Sequence, residues 1–288
     1  MMPVGEPLRR RAKPFLGTLV EIAASARSEA QFVQATDAAF ERIAQVHRAM
    51  SFHEPSSDLR AIARAPSQSV LAIAPDTWNT LALALDMEAA SDGIFNAAIA
   101  PALVSRGLLP PPDGAQTPQA PSLREGIALE SDFGIRILAP VWIDLGGIAK
   151  GHAVDLAVAA LTAQGIESGV VNAGGDLRVF GPLTQALSVR WPAHPTQAVT
   201  IARITDLSGA TSGGYFLNVD AAAIAHPGMV GHREGPSPDS VTVIAPRCAV
   251  ADALTKVLWL RGPDAQAVLR RYDAQAVLID RLGHITRI

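Results

Sequence analysis

The second half of the chain alternates short apolar strands with helices, and two glycine pairs interrupt it at strand ends, Gly146-Gly147 and Gly174-Gly175. No feature restricts the fold more. Residues 134–138 and 141–144 read as strands, and a helix follows from about 148 to 163, closed by Gly165. A buried strand at 169–172 runs into Ala173-Gly174-Gly175-Asp176 and a further strand. Residues 187–204 read as a hairpin around Pro192 to Pro195, and 240–245 as a strand. Helices at 250–260 and 263–271 precede a last strand at 276–279. Strands and helices mixed without strict βαβ repetition predict an α+β fold, with residues 1–288 forming one domain around one core.

The first half fits this picture. Residues 15–24 read as one β-branched strand. Over 30–49, Phe32, Val33, Ala39, Phe40, Ile43 and Val46 fall on one helical stripe, with Asp37, Glu41 and Arg48 opposite. Pro75-Asp76 opens another helix, running to about residue 90. Residues 107–122 hold five prolines among small polar residues and read as a surface loop.

Composition excludes several classes of function. Hydrophobic residues make up 49% of the 288 and charged residues 18%, as in globular proteins that bury a core. The net charge is −3 and the only basic run is Arg9-Arg10-Arg11, so nucleic-acid binding has no electrostatic footprint. A single cysteine, Cys248, excludes an internal disulfide and a cysteine-based zinc site. No segment is long and apolar enough to span a bilayer. The first residues are basic without an apolar run behind them, so no signal peptide is read. The expected location is the cytoplasm as the chain stands, or the periplasm if an export signal is missing from it.

Three segments could carry chemistry. In Asp144-Leu145-Gly146-Gly147-Ile148-Ala149-Lys150-Gly151 a strand ends, two glycines follow and a helix begins with Lys150 in its first turn. Free N–H groups and the positive helix end favour an anion there, though a plain glycine turn with a solvated lysine fits equally well. The spacing matches neither common nucleotide fingerprint. The bend Asn172-Ala173-Gly174-Gly175-Asp176 could carry a ligand on its backbone, but a hairpin corner is the better reading. In Val250-Ala251-Asp252-Ala253-Leu254-Thr255-Lys256, Asp252, Thr255 and Lys256 share one helix face. A surface ion pair is the ordinary reading of that spacing, while the apolar neighbours argue for burial.

Taken in order, these segments resemble the ApbE family of FAD:protein FMN transferases, and the resemblance covers most of the chain. Phe15-Leu16-Gly17-Thr18 is similar to the family's first strand and Met50-Ser51 to an early loop. Gly93-Ile94-Phe95-Asn96 is similar to a flavin-side segment, and Ala210-Thr211-Ser212-Gly213 to an internal strand. The resemblance implies an ApbE-type, T-fold-like mixed sheet-and-helix domain with one flavin-nucleotide site. Leu16, His53, Ile94, Phe95 and Asn96 would contact FAD, and Asp144 and Lys150 would hold its polar part. Mg²⁺ would take the Gly147 carbonyl, the Asp252 carboxylate and groups near Thr255. The implied reaction is phosphoryl transfer: a threonine hydroxyl on a client protein attacks the FMN-side phosphorus and AMP leaves.

The chain departs from the family pattern in three places. Asn96-Ala97-Ala98 stands where the pattern has Asp-Pro-Thr, which removes a carboxylate and a hydroxyl. The family's His-Ile-Ile-Asp-Pro segment has only Ile224-Ala225-His226-Pro227-Gly228 as its nearest text. Lys256 replaces a metal-side threonine, and its ammonium competes for the space of the cation. Two alternatives therefore stand beside transfer: a module that only binds FAD, and a hydrolase that splits FAD to FMN and AMP. His226 and His232 are the candidate general bases.

Overall fold

The computed structural model describes residues 8–192, 194–213 and 238–288. The sequence reading of one strand over 15–24 is corrected to a hairpin, β1 (Arg9–Phe15) and β2 (Thr18–Ala24), joined by Leu16-Gly17. Both turn residues have positive φ, 54° and 71°, as a two-residue hairpin turn requires. Helix α1 (Glu29–Met50) follows, started by Ser28, whose hydroxyl accepts the Gln31 N–H at 3.1 Å. The expected stripe is buried at Phe32, Phe40, Ile43 and Val46, while Val33 stays exposed. Each such fully buried side chain contributes about 1.5–3 kcal/mol relative to exposure.

A smaller layer lies beyond α1. It holds α2 (Asp58–Arg64), β3 (Val70–Ala72), α3 (Pro75–Ala90), α4 (Ala100–Ser105), α5 (Leu123–Gly126), β4 (Ile127–Leu129) and β5 (Gly134–Ile137). The strands form a three-stranded antiparallel sheet in the order β3-β5-β4. The segment 141–144, expected as a strand, joins no ladder among the described residues. Loop contacts hold it instead: Trp142 donates to the Gln116 carbonyl at 2.8 Å, and the Asp144 N–H to the Ala97 carbonyl at 2.9 Å.

The remaining elements build the main sheet. They are α6 (Ala149–Ala163), β6 (Gly169–Ala173), β7 (Asp176–Phe180), β8 (Thr184–Trp191), β9 (His194–Thr205), β10 (Ser208–Gly213), β11 (Ser240–Ala245), α7 (Cys248–Arg261), α8 (Gln266–Arg271), β12 (Gln275–Ile279) and β13 (Ile285–Arg287). A 3₁₀ turn, Gly262–Ala265, links α7 to α8. Among the described residues the order is β1-β2-β6-β7-β10-β11-β12-β13, every pairing antiparallel, with β1 and β13 outermost. Alternation along the strands decides what lies on each face. Val241, Val243, Ala276 and Leu278 join the core under α1, α6 and α7. Val277 and Ile279 point the other way, where the β8–β9 hairpin covers them with Leu187, Val189 and Ile201. Among the described residues no helix is long and apolar enough to cross a membrane.

Candidate functional site

A cavity of about 410 Å³ opens between the β1–β2 turn, the end of α1 and the start of α6. Val46, Met50, Phe52 and Leu109 give it an apolar side; Asp144 and Lys150 stand in its polar wall. Leu16 enters the lining from the left-handed conformation, which costs a non-glycine residue about 1–2 kcal/mol. Such strain at a cavity mouth is common where a side chain must be aimed. Asp144 accepts the Gly146 N–H at 3.1 Å. Burial pushes its carboxyl above the usual range, against the pull of that N–H and of the charges at His53 and Lys256.

Behind this wall two helices exchange carboxylates. No side chain of the preceding residue caps α6; instead Asp252 of α7 accepts the Gly151 N–H at 3.2 Å. In return Asp155 of α6 accepts the Cys248 and Ala249 N–H groups that open α7, at 2.8 and 3.0 Å. Each carboxylate therefore meets the positive end of the other helix. Gly151 makes the approach possible, because a Cβ there would lie 2.3 Å from the Cys248 carbonyl oxygen. The predicted helix-end anion site is thus occupied in part by the chain's own carboxylate.

Four charges gather at this crossing. Lys150 pairs with Asp176 and lies 3.5 Å from Asp252 Oδ2. Lys256 pairs with Asp252 Oδ1 and donates to the Asp252 carbonyl at 3.1 Å. The Asp252 side chain is fully buried, so the surface-pair reading gives way to the buried one. Burial would raise Asp252, but the two ammoniums and the Gly151 N–H hold it below the usual carboxylate range. Burial and the Asp252 charge push Asp176 above it, against the pull of Lys150. Burial would lower Lys150, yet Asp176 and Asp252 hold it above the ordinary lysine value. Thr255 donates to the Asp252 carbonyl at 2.7 Å, and its oxygen lies 2.9 Å from that of Ser212.

The structure brings Leu16, His53, Asp144 and Lys150 to one cavity, with Gly147, Asp252 and Thr255 close behind it. Ile94, Phe95 and Asn96 are not in its lining. Phe95 is buried in the core and Ile94 packs against it. Asn96 braces its own loop, donating to the Pro121 carbonyl and accepting the Ala98 N–H, each at 2.8 Å. His226 and His232 lie outside the described residues. Sequence reasoning noticed the bend at 172–176 but assigned nothing to Asp176, which closes the Lys150 pair; its place directly after two glycines was the available signal. That bend is a hairpin corner, with Ala173 paired to Asp176 and both glycines at positive φ.

The donor set does not suit a divalent metal. Mg²⁺ seeks near-octahedral oxygen ligands. Both Asp252 oxygens and its carbonyl are already engaged by N–H, ammonium and hydroxyl groups, and the Thr255 hydroxyl spends its proton on that carbonyl and also contacts Ser212. Among the described residues no trio of His, Cys, Asp or Glu converges on one point.

An eight-stranded antiparallel sheet, helices on one face and a cavity at the start of a glycine-turned helix define the class to which this chain is comparable. Residues 16–279 match the model of the ApbE family, and the chain belongs to that family. It is 26% identical to the FAD:protein FMN transferase of Treponema pallidum, over 91% of this chain and 81% of that one. To the enzyme of the same name from Vibrio cholerae it is 25% identical, over 76% and 71%. Among solved structures it resembles the ApbE protein of Thermotoga maritima at TM-score 0.79 and 23% identity, over 97% and 96% of the two chains. The apo flavinyl transferase ApbE of Pseudomonas stutzeri superposes at 0.77 and 21%, over 100% and 97%. These structures share the fold.

Proposed function

We propose that the chain transfers FMN from FAD to a threonine hydroxyl of a client protein and releases AMP. The observation that carries this reading is a cavity lined both by apolar side chains and by a lysine at a helix start. The isoalloxazine fits the apolar side beside Leu16, Met50 and Phe52, and the pyrophosphate lies toward Lys150. The client oxygen then forms a bond to the FMN-side phosphorus while the bond from that phosphorus to the bridging oxygen breaks, and AMP carries the bridging oxygen away. Little covalent help is needed; alignment and charge neutralisation lower the barrier. The hydroxyl proton must be accepted within the cavity, where Asp144, His47 and His53 are titratable lining groups.

The test is incubation of the full chain with FAD and a threonine-bearing client peptide, read by mass spectrometry. Transfer adds one FMN residue to the peptide threonine with one AMP released. FMN and AMP free in solution, with the peptide unchanged, would replace transfer by hydrolysis. Intact FAD bound with neither product would leave a binding module.

A further inference from the structure

Resting on the reading of the cavity as an FAD site, we propose that Lys256 takes the place of the divalent metal, so that this chain holds the FAD pyrophosphate with two lysines and needs no added cation. Three observations meet at one point. The Lys256 ammonium is bonded to both the carboxylate and the backbone carbonyl of Asp252, the group around which a cation would otherwise gather. The lysine stem runs along the glycine turn that opens α6: a Cβ on Gly147 would lie 3.4 Å from Lys256 Cε. The stem therefore packs at ordinary contact distance against the turn, and carries the ammonium from the turn to Asp252. Lys150, which lines the cavity, approaches the other Asp252 oxygen at 3.5 Å, so one buried carboxylate stands between the two ammoniums and Lys256 lies behind the lining.

Neither lysine is sealed off. The Lys256 side chain keeps 20% exposure and that of Lys150 keeps 32%, whereas Asp252 has none. Each ammonium has three donors: Lys256 uses two on Asp252 and Lys150 uses one on Asp176, so each keeps at least one to turn toward a phosphate oxygen. A compact, fixed cation gives the charge neutralisation that phosphoryl transfer requires without the oxygen shell of a metal. A divalent ion entering here would first have to displace an ammonium from Asp252 and then stand beside it.

The experiment measures FAD binding by flavin fluorescence and calorimetry, for the full-length wild-type protein and for Lys256→Thr, in EDTA and in Mg²⁺. The same two proteins are titrated with Mn²⁺ and followed by electron paramagnetic resonance. Wild-type affinity for FAD should change less than about threefold between EDTA and Mg²⁺, and Mn²⁺ should stay free. Lys256→Thr should bind FAD about tenfold or more weakly in EDTA, recover with Mg²⁺, and capture Mn²⁺. A wild-type protein that loses FAD in EDTA, or binds Mn²⁺ as its variant does, overturns the substitution of lysine for metal while the FAD site stands. No FAD binding under any condition overturns the cavity reading and this inference with it. Should Lys256→Thr fail to fold, the wild-type EDTA and Mn²⁺ arms still decide.

Discussion

Asp155 and Asp252 do the same backbone task in different electrical surroundings. Each caps the start of the helix opposite; Asp252 is fully buried and Asp155 half-buried. Asp155 has no lysine partner, and burial raises its carboxyl despite two N–H groups and the charges of Arg247 and Arg178. Asp252 has two ammoniums beside it and is lowered. Helix capping alone therefore does not require the lysines. The ammoniums are concentrated at the crossing that borders the cavity, while the far crossing has only the more distant charges of Arg247 and Arg178.

The comparison can be broken at several levels. Gly151→Ala should be the most damaging change, because its methyl would sit 2.3 Å from a backbone oxygen and force both caps apart. A loss of about 4 kcal/mol in urea melts is expected, near the upper end for single substitutions. Asp252→Ala leaves Lys256 without its carboxylate and Lys150 with Asp176 alone, and should cost about 3 kcal/mol together with FAD affinity. Asp155→Ala removes only a cap and should cost about 1–2 kcal/mol with FAD binding intact. Equal FAD losses from the two would erase the distinction between them.

The smallest effect is in pH dependence, and its sign is opposite at the two sites. A raised folded pKa means that the native state holds the Asp155 proton more tightly than the unfolded chain. Its contribution is therefore lost as pH rises from about 4 through the folded value. A lowered folded pKa gives Asp252 a contribution present above about pH 4 and lost as pH falls through its folded value. Thermal melts from acid to neutral pH should show Asp155→Asn flattening the rising-pH loss and Asp252→Asn flattening the acid loss. Parallel curves for both variants would mean that the lysines do not set the difference.

Much of the fold was legible because its signals are local. The stripe along α1 and Pro75 each mark an element by its own chemistry. The first hairpin was missed for a local reason too: its turn places a leucine at positive φ, where Asn, Asp or Gly would have announced a bend. The run at 141–144 has a strand's composition, but its partners are loop carbonyls. The short β3 and β4 and the final β13 are three residues each, too brief for alternation to register. At the site, the Asp252–Lys256 spacing could be read from the helical period. The reach from Lys150 to Asp176 could not, since β6 and the hairpin corner must form before those residues meet.

The two outermost strands of the main sheet bear on how copies of this chain behave when crowded together. An open strand edge invites another chain to add itself, the first step toward fibres and amorphous aggregates. Along β1 that invitation is withdrawn by charge: Arg9, Arg10, Arg11 and Lys13 hold Glu29, Glu21 and Asp37 in ion pairs, and Pro14 has no N–H to offer. An incoming strand would have to disrupt that fence before its own ladder could form. At β13 brevity does the same work, because three exposed residues give a newcomer too little length to grip. The arginine run that offered no case for nucleic acid thus has a use as a guard against self-association.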